Sequence, residues 1–542
     1  MIVAMRCLLI VLFIAVCAGG PALAQGNPCP RAAPGSEIAP PPDLYSHKGV
    51  LKTDFGYYTG MDDAGRTLFC FQTPDGRESP TLHVNPGDRI RIQLTNMVPQ
   101  PAGAPEEIIS SDKTVCGDAK MTLSSVNIHF HGTNTAPTCH SDEVIHTLVN
   151  SGETFSYDVK IPKNEPPGLY WYHPHVHGIS AATVEGGATG IIEVEGIANV
   201  QPAVAGLPER YLVVRDQAET GAFKSKPVPS WDLSLNYVPI SYPKYKPAII
   251  KMNPGTQEFW RVANTAANTV LDLKLTYDKV RQPLQIVAFD GVPLGSQDGK
   301  HQGTIETVRD ILIPPAGRAE FIVAAPSAQV KQALLSTMAI DTGPSGDSDP
   351  GRPLAIIQTT TADLHLPRVA ERSGPPNPQR FPGLFNAKVT ARRTLYFSEI
   401  PYDLPESGRA DQVLFFITVD GQKPKLFRPA EPPAITTTQG AVEDWTIQNR
   451  SPEIHEFHIH QIHFLLLAIN GVPVPEGQRQ FYDTYQVPYW TEKGPYPSIT
   501  VRMDFRGPVV GDFVYHCHIL DHEDAGMMAV IRVLPKPKKF HS

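Results

Sequence analysis

The sequence predicts an all-β fold built from three consecutive β-sandwich domains, and three observations carry that expectation. First, Gly87–Asn96, Gly255–Asn264 and Gly440–Asn449 each place an asparagine nine residues after a glycine. The fifth and seventh residues after each glycine are apolar: Ile92 and Leu94, Trp260 and Val262, Trp445 and Ile447. Period-two alternation after a turn marks a half-buried strand. Second, two further echoes follow in order. Asp290-Gly291-Val292-Pro293 matches Asn470-Gly471-Val472-Pro473, and Tyr172-His173-Pro174-His175 matches Tyr515-His516-Cys517-His518. Repeated echoes in one order imply multiplication of one β-domain. Third, 54 prolines and 42 glycines among 542 residues supply turns at short intervals, with little helical periodicity between them.

The elements follow in chain order. Arg6, the apolar run Leu8–Val16 and the small-residue site Ala22-Leu23-Ala24 have the form of a secretory signal peptide over residues 1–24. Export to the periplasm or the extracellular space is expected. The run is too short to span a bilayer, and no later stretch approaches the ~20 apolar residues that a membrane helix needs, so no stable membrane insertion is expected. Residues 25–200 form the first domain. A Gly/Ala/Pro-containing joint over 196–208 leads into the second, residues 201–365, which carries a polar Gly/Pro/Asp-rich loop at 342–353. The stretch 366–385 reads as a linker, and residues 386–542 form the third domain.

Removal of the signal takes Cys7 and Cys17 with it and leaves Cys29, Cys70, Cys116, Cys139 and Cys517. An odd count in an oxidising compartment leaves one thiol for another task. Four cysteines allow three pairings. Cys29–Cys70 with Cys116–Cys139 is the preferred one, and Cys517 is the thiol left over. The balance of 47 basic and 55 acidic residues, net −8, argues against a nucleic-acid partner, which needs a basic face. The basic C-terminal residues Lys536, Lys538 and Lys539 read as a solvated tail.

Histidine placement is the sharpest signal. Ten of the 19 histidines fall in four windows: His129 and His131; His173 and His175; His455, His458 and His460; and His516, His518 and His522. On a strand, side chains at i and i+2 share a face and i+1 points away. Four His-x-His pairs therefore offer eight imidazoles from two domains, enough for three metals with open positions for a small ligand. Cys517, between His516 and His518, must face the other way. His455 has the opposite parity to His458 and His460, so it can join Cys517, with His522 completing the set and Met527 as a distant axial ligand. A His₂Cys site with a weak methionine is the blue-copper arrangement.

These motifs, His-x-His-Gly, His-x-His, His-x-x-His-x-His and His-Cys-His-x₃-His-x₄-Met, resemble those of the multicopper oxidase family over essentially the whole mature chain. The resemblance implies three cupredoxin-like Greek-key domains and four copper ions. It assigns type 1 copper to His455, Cys517, His522 and Met527, and type 2 to His129 and His458. The type 3 pair falls to His131, His173, His175, His460, His516 and His518. The middle domain, with His301 as its one histidine between 205 and 360, reads as a spacer that lost its site. Four one-electron centres suit reduction of O₂ to two waters, and the peptide joining Cys517 to His516 and His518 offers electrons a short covalent route.

Asp142 and Glu523 match acidic proton-relay positions of related oxidases, with a surface carboxylate or a hydrogen-bond partner of a ligand as the plainer reading of each. His177 and His463 are expected to support ligands from behind, and His140 and His146 to be solvated loop residues. The expected partners are O₂ and a small organic electron donor, a phenol or aromatic amine. A reduced metal ion, Cu(I) or Fe(II), is the alternative donor. A non-catalytic copper-binding or structural protein is the remote alternative. The sequence does not speak to oligomeric state.

Overall fold

The computed structural model describes residues 27–109, 116–117, 119–218, 228–296, 301–371, 380–400 and 413–537. The signal segment 1–24 and linker residues 372–379 lie outside them. The described chain is nearly all β, and its longest helix, Ser180–Glu185, has six residues. None of its helices is long and apolar enough to cross a membrane.

The repeated segment becomes the same strand three times. Arg89–Asn96, Gln257–Asn264 and Val442–Asn449 each pair in parallel with a preceding strand: Val50–Met61, Glu209–Ala218 and Ala391–Ile400 respectively. Each also pairs antiparallel with a following one: Thr154–Lys160, Arg318–Ala324 and Ser498–Asp504. The terminal asparagine closes each copy in the same way. Asn96 Nδ2 donates to the carbonyls of Ser124 and Val149, Asn264 Nδ2 to those of Thr269 and Ile313, and Asn449 Nδ2 to those of Glu453 and Val487. Each Oδ1 accepts the backbone N–H two residues on. A fully buried amide with its hydrogen bonds made ties the strand end to two neighbouring segments, which an apolar residue there could not do.

Each of these sheets packs on a second one. In the first copy the partner sheet runs Asp43–Tyr45, Thr81–Val84, Gly190–Val194, Gly168–His173, His129–His131. In the third it runs Ile435–Thr438, Met528–Leu534, Gly511–Cys517, His455–Ile459, Thr484–Val487. Three large apolar cores fill the sandwiches, and the third contains Cys517 and Met527. Trp260 and Trp445 are buried in the second and third cores, with Nε1 donating to Glu258 and Glu443, 2.8 Å in each. The hairpin echo is also real. Asp290 and Gly291 have φ of 47° and 77°, Asn470 and Gly471 50° and 75°. Two consecutive left-handed residues form the type I′ turn that joins twisted strands.

The middle domain is more than a spacer. Its Arg261, fully buried, pairs with Glu193 of the first domain at 2.6 Å and with Glu209 and Glu320 of its own sheet. Its Arg318 reaches Asp483 of the third domain. The loop expected at 342–353 ends where the strand Arg352–Thr359 begins, and its first part docks on the third domain: the Ile454 N–H donates to the Thr342 carbonyl at 3.0 Å. Charge and backbone pairing with neighbours leave no histidine trace, which is why the sequence concealed this. The disulfides are Cys29–Cys70 and Cys116–Cys139, and Cys517 is the one free cysteine among the described residues.

Candidate metal centres

Strand pairing sets the histidines in register. In the first domain His173 lies opposite His129 and Trp171 opposite His131. In the third His458 lies opposite His516 and Phe457 opposite Cys517. Alternation sends Phe130, Tyr172, Phe457 and Tyr515 into the apolar cores and the imidazoles to the opposite faces, which meet between the two domains. The His129 ring stacks on His460 at 3.8 Å, His131 on His458 at 4.1 Å, and His175 meets His516 edge-on at 5.1 Å.

All eight rings are buried. Burial first, then neighbouring histidines, pushes His131, His175, His458, His460 and His518 well below the ordinary imidazole range. Burial likewise brings His516 down to about 3. These rings are neutral at pH 7 and carry free lone pairs.

Acceptors on the outside fix which nitrogen faces inward. His129 Nδ1–H donates to Asp142 Oδ1 (3.0 Å), His458 Nδ1–H to the Asp483 carbonyl (2.7 Å), His173 Nδ1–H to the Pro174 carbonyl (2.8 Å) and His516 Nδ1–H to the Cys517 carbonyl (2.8 Å). His131 Nε2–H donates to Asp483 Oδ1 at 3.2 Å. Their opposite nitrogens, His129 Nε2, His458 Nε2, His173 Nε2 and His131 Nδ1, are buried with no protein partner, and so are both ring nitrogens of His518. His516 Nε2 lies 3.3 Å from His175 Nε2 and 3.2 Å from His460 Nε2. Orphaned buried acceptors are costly in a dry interior. The donor set therefore fits metal ions, with the outer hydrogen bonds orienting each ligand.

On the other side of the same strand, Cys517 Sγ lies 3.6 Å from His455 Nδ1 and 3.8 Å from His522 Nδ1, with the two nitrogens 3.0 Å apart. Met527 is buried in the same core, and its carbonyl accepts the Cys517 N–H. Burial pushes the Cys517 thiol up, so the thiolate needs a cation beside it. The Glu456 N–H donates to Sγ at 3.3 Å. Ser451 Oγ holds His455 Nε2 at 2.6 Å, and Phe415 stacks on His522 at 4.1 Å. His455 is fully buried. His522 lines a small cavity with Asp347 and Asp349 of the middle-domain loop and Glu453, whose Oε2 lies 3.6 Å from His522 Nε2.

Asp142 and Glu523 are both buried, not surface carboxylates. Asp142 also accepts from the Phe130 N–H, Thr135 Oγ1 and Gln461 Nε2. Glu523 Oε2 lies 3.8 Å from His175 Nε2 and 3.9 Å from His516 Nδ1. His463 donates from Nε2 to the Asp290 carbonyl at 2.8 Å and lies 3.6 Å from Asp483 Oδ2, and His177 packs against Phe427. His140 is exposed but its ring stacks on Phe155, and His146 is half-buried against Glu143, so neither is a freely solvated loop residue.

Sequence reasoning missed Asp483, Arg318, Ser451 and Glu453. One of them left a trace: two residues beyond the repeat asparagine stand Val98 and Ala266, but Ser451 in the third copy, where a hydroxyl is needed.

Family models described as multicopper oxidase match residues 402–537 and 120–196, the segments that carry the clustered histidines. The chain belongs to the multicopper oxidase family. It is 21% identical over 470 residues to "Multicopper oxidase mco" of Staphylococcus haemolyticus, covering 84% of this chain and 81% of that protein. It is 24% identical to a laccase of Haloferax volcanii, covering 83% of this chain and 75% of that one. Its fold is similar to the solved structure of a multicopper oxidase from Campylobacter jejuni described as a metallo-oxidase, at TM-score 0.65, 19% identity and coverage of 93% and 96%. Copper binding and oxidoreductase activity follow from membership of this family.

Proposed function

We propose that this oxidase takes electrons singly from a small organic donor, a phenol or aromatic amine, and delivers four of them with four protons to O₂, releasing two waters. The observation that carries this reading is the bond path from Cys517 to His516 and His518, which joins the Sγ/imidazole site to the cluster of orphaned nitrogens. In this reading type 1 copper is held by His455, Cys517, His522 and Met527, type 2 by His129 and His458. The type 3 pair is held by His175, His460 and His516 on one ion and His131, His173 and His518 on the other. When bound, the four coppers supply one-electron acceptance at one end and four-electron capacity at the other.

The chain's own residues do the rest. His522 presents the donor-facing edge, since it lines the cavity while His455 is enclosed. Asp142 holds the His129 Nδ1 proton and so keeps Nε2 free. Glu523 carries a proton at a buried carboxyl beside His175 and His516, within reach of the cluster. Export to the periplasm or beyond agrees with two disulfides in the chain.

A metal-ion donor is the second reading, favoured by Asp347, Asp349 and Glu453 around His522. Against it stands the methionine distribution: ten in 542 residues, with no cluster of soft thioethers to gather Cu(I). Oxygen uptake with dimethoxyphenol, bilirubin, Cu(I) and Fe(II) decides. Phenol turnover is expected to exceed that on either metal, and far faster Cu(I) or Fe(II) oxidation would overturn the organic-donor reading.

A further inference from the structure

We infer that Arg318 of the middle domain, acting through Asp483, is a positioning residue for the trinuclear site; the inference rests on the ligand reading above. The guanidinium is fully buried and forks onto Asp483, Nη1 to Oδ1 at 2.8 Å and Nη2 to Oδ2 at 2.5 Å. Nη1 also donates to the Ala316 carbonyl and Nε to that of Leu169, so the fork cannot swing. Asp483, thus fixed, does two things. Its Oδ1 takes the Nε2 proton of His131, leaving Nδ1 toward the cluster, and its backbone carbonyl takes the Nδ1 proton of His458, leaving Nε2. One residue therefore sets the tautomer of a ligand from the first domain and of one from the third.

The hairpin turn of the middle domain supports the same segment. Asp290 Oδ1 accepts the Arg318 N–H, and Oδ2 accepts the Asp483 N–H at 3.1 Å. The equivalent turn in the third domain, around Asn470-Gly471, ends on exposed Val472, so the repeat has been put to a separate use here. The glycine of the His-x-His-Gly motif is part of the device. Gly132 has φ of 82°, and a Cβ there would stand 2.4 Å from Arg318 Nη2 and 2.6 Å from Asp483 Oδ2. The space a side chain would take is filled by the ion pair.

Purified oxidase with Arg318→Met, Arg318→Lys and Asp483→Asn tests this by copper content after dialysis against a chelator, type 2 copper paramagnetic resonance and the blue absorbance of type 1. Arg318→Met is expected to retain trinuclear copper about 10-fold or more less well and to change the type 2 spectrum, with the blue band intact. Arg318→Lys, which keeps charge without the fork, should fall between. Asp483→Asn keeps volume and the backbone carbonyl to His458 but takes the carboxylate from both His131 and the Arg318 fork, so it tests the same link from the other side even if Arg318→Met fails to fold; an altered type 2 or type 3 spectrum is expected. Four coppers and unchanged spectra in Arg318→Met and Asp483→Asn would overturn the inference. So would parallel loss of the blue band and trinuclear copper in both, which marks a docking role only. A wild-type protein without type 1 and type 2 signals would instead refute the ligand reading.

Discussion

The two candidate metal centres lie back to back on one strand, Gly511–Cys517, and are assembled in opposite ways. The sulfur-containing site is made inside one sandwich: Ser451, His455, Cys517, His522 and Met527 all come from the third domain, and the middle-domain loop only walls its outer side. The histidine cluster exists only where domains meet, with four rings from the first domain, four from the third and a buried cation from the middle one. A site within one core inherits its geometry from packing. A site between domains depends on whatever fixes those domains, here buried ion pairs and glycine-permitted close approaches.

The largest expected effect separates the two sites. Cys517→Ser removes the soft ligand, so the blue absorption and donor oxidation should both vanish while circular dichroism and trinuclear copper persist; a Cys517→Ser protein that stays blue would sink the assignment. Next is the interface. Arg261→Met leaves Glu193, Glu209 and Glu320 buried together without their cation, with an expected loss of about 3–5 kcal/mol. Denaturant unfolding should show it, and loss of trinuclear copper should precede loss of the blue band. A simultaneous loss would erase the distinction drawn here.

Smaller is Ser451→Ala, which frees His455 Nε2 and should cost about 1 kcal/mol. A shift of the blue band with unchanged type 2 signal is expected; an unshifted band would mean Ser451 does not orient the ring. Smallest is a histidine outside both centres. His83, on a strand of the cluster-bearing sheet, bridges Asp43 and Glu195, and these partners outweigh its burial to raise its pKa from 6.5 to about 10. Its stabilisation is complete below pH 6.5 and is lost as pH rises to about 10. His83→Gln should remove on the order of 1 kcal/mol at pH 7 and flatten the pH dependence of unfolding over that window. An unchanged pH profile would show that this histidine is not held charged.

By itself the sequence determined the repeated strand, its closing asparagine, the face on which each histidine falls and the separation of Cys517 from its neighbours. All of these follow from period-two alternation and local turn chemistry, which depend on residues near in sequence. Only the tertiary structure decided that Asp142 and Glu523 are buried, that Asp483 touches both His131 and His458, and that the middle domain reaches both sites. Arg318 and Asp483 are 165 residues apart and Arg261 and Glu193 are 68 apart, yet each pair meets in the folded chain. A lone arginine or aspartate has no periodicity to betray it. Its partner is chosen by domain docking, where burial makes an ion pair obligatory and a missing Cβ makes room for it.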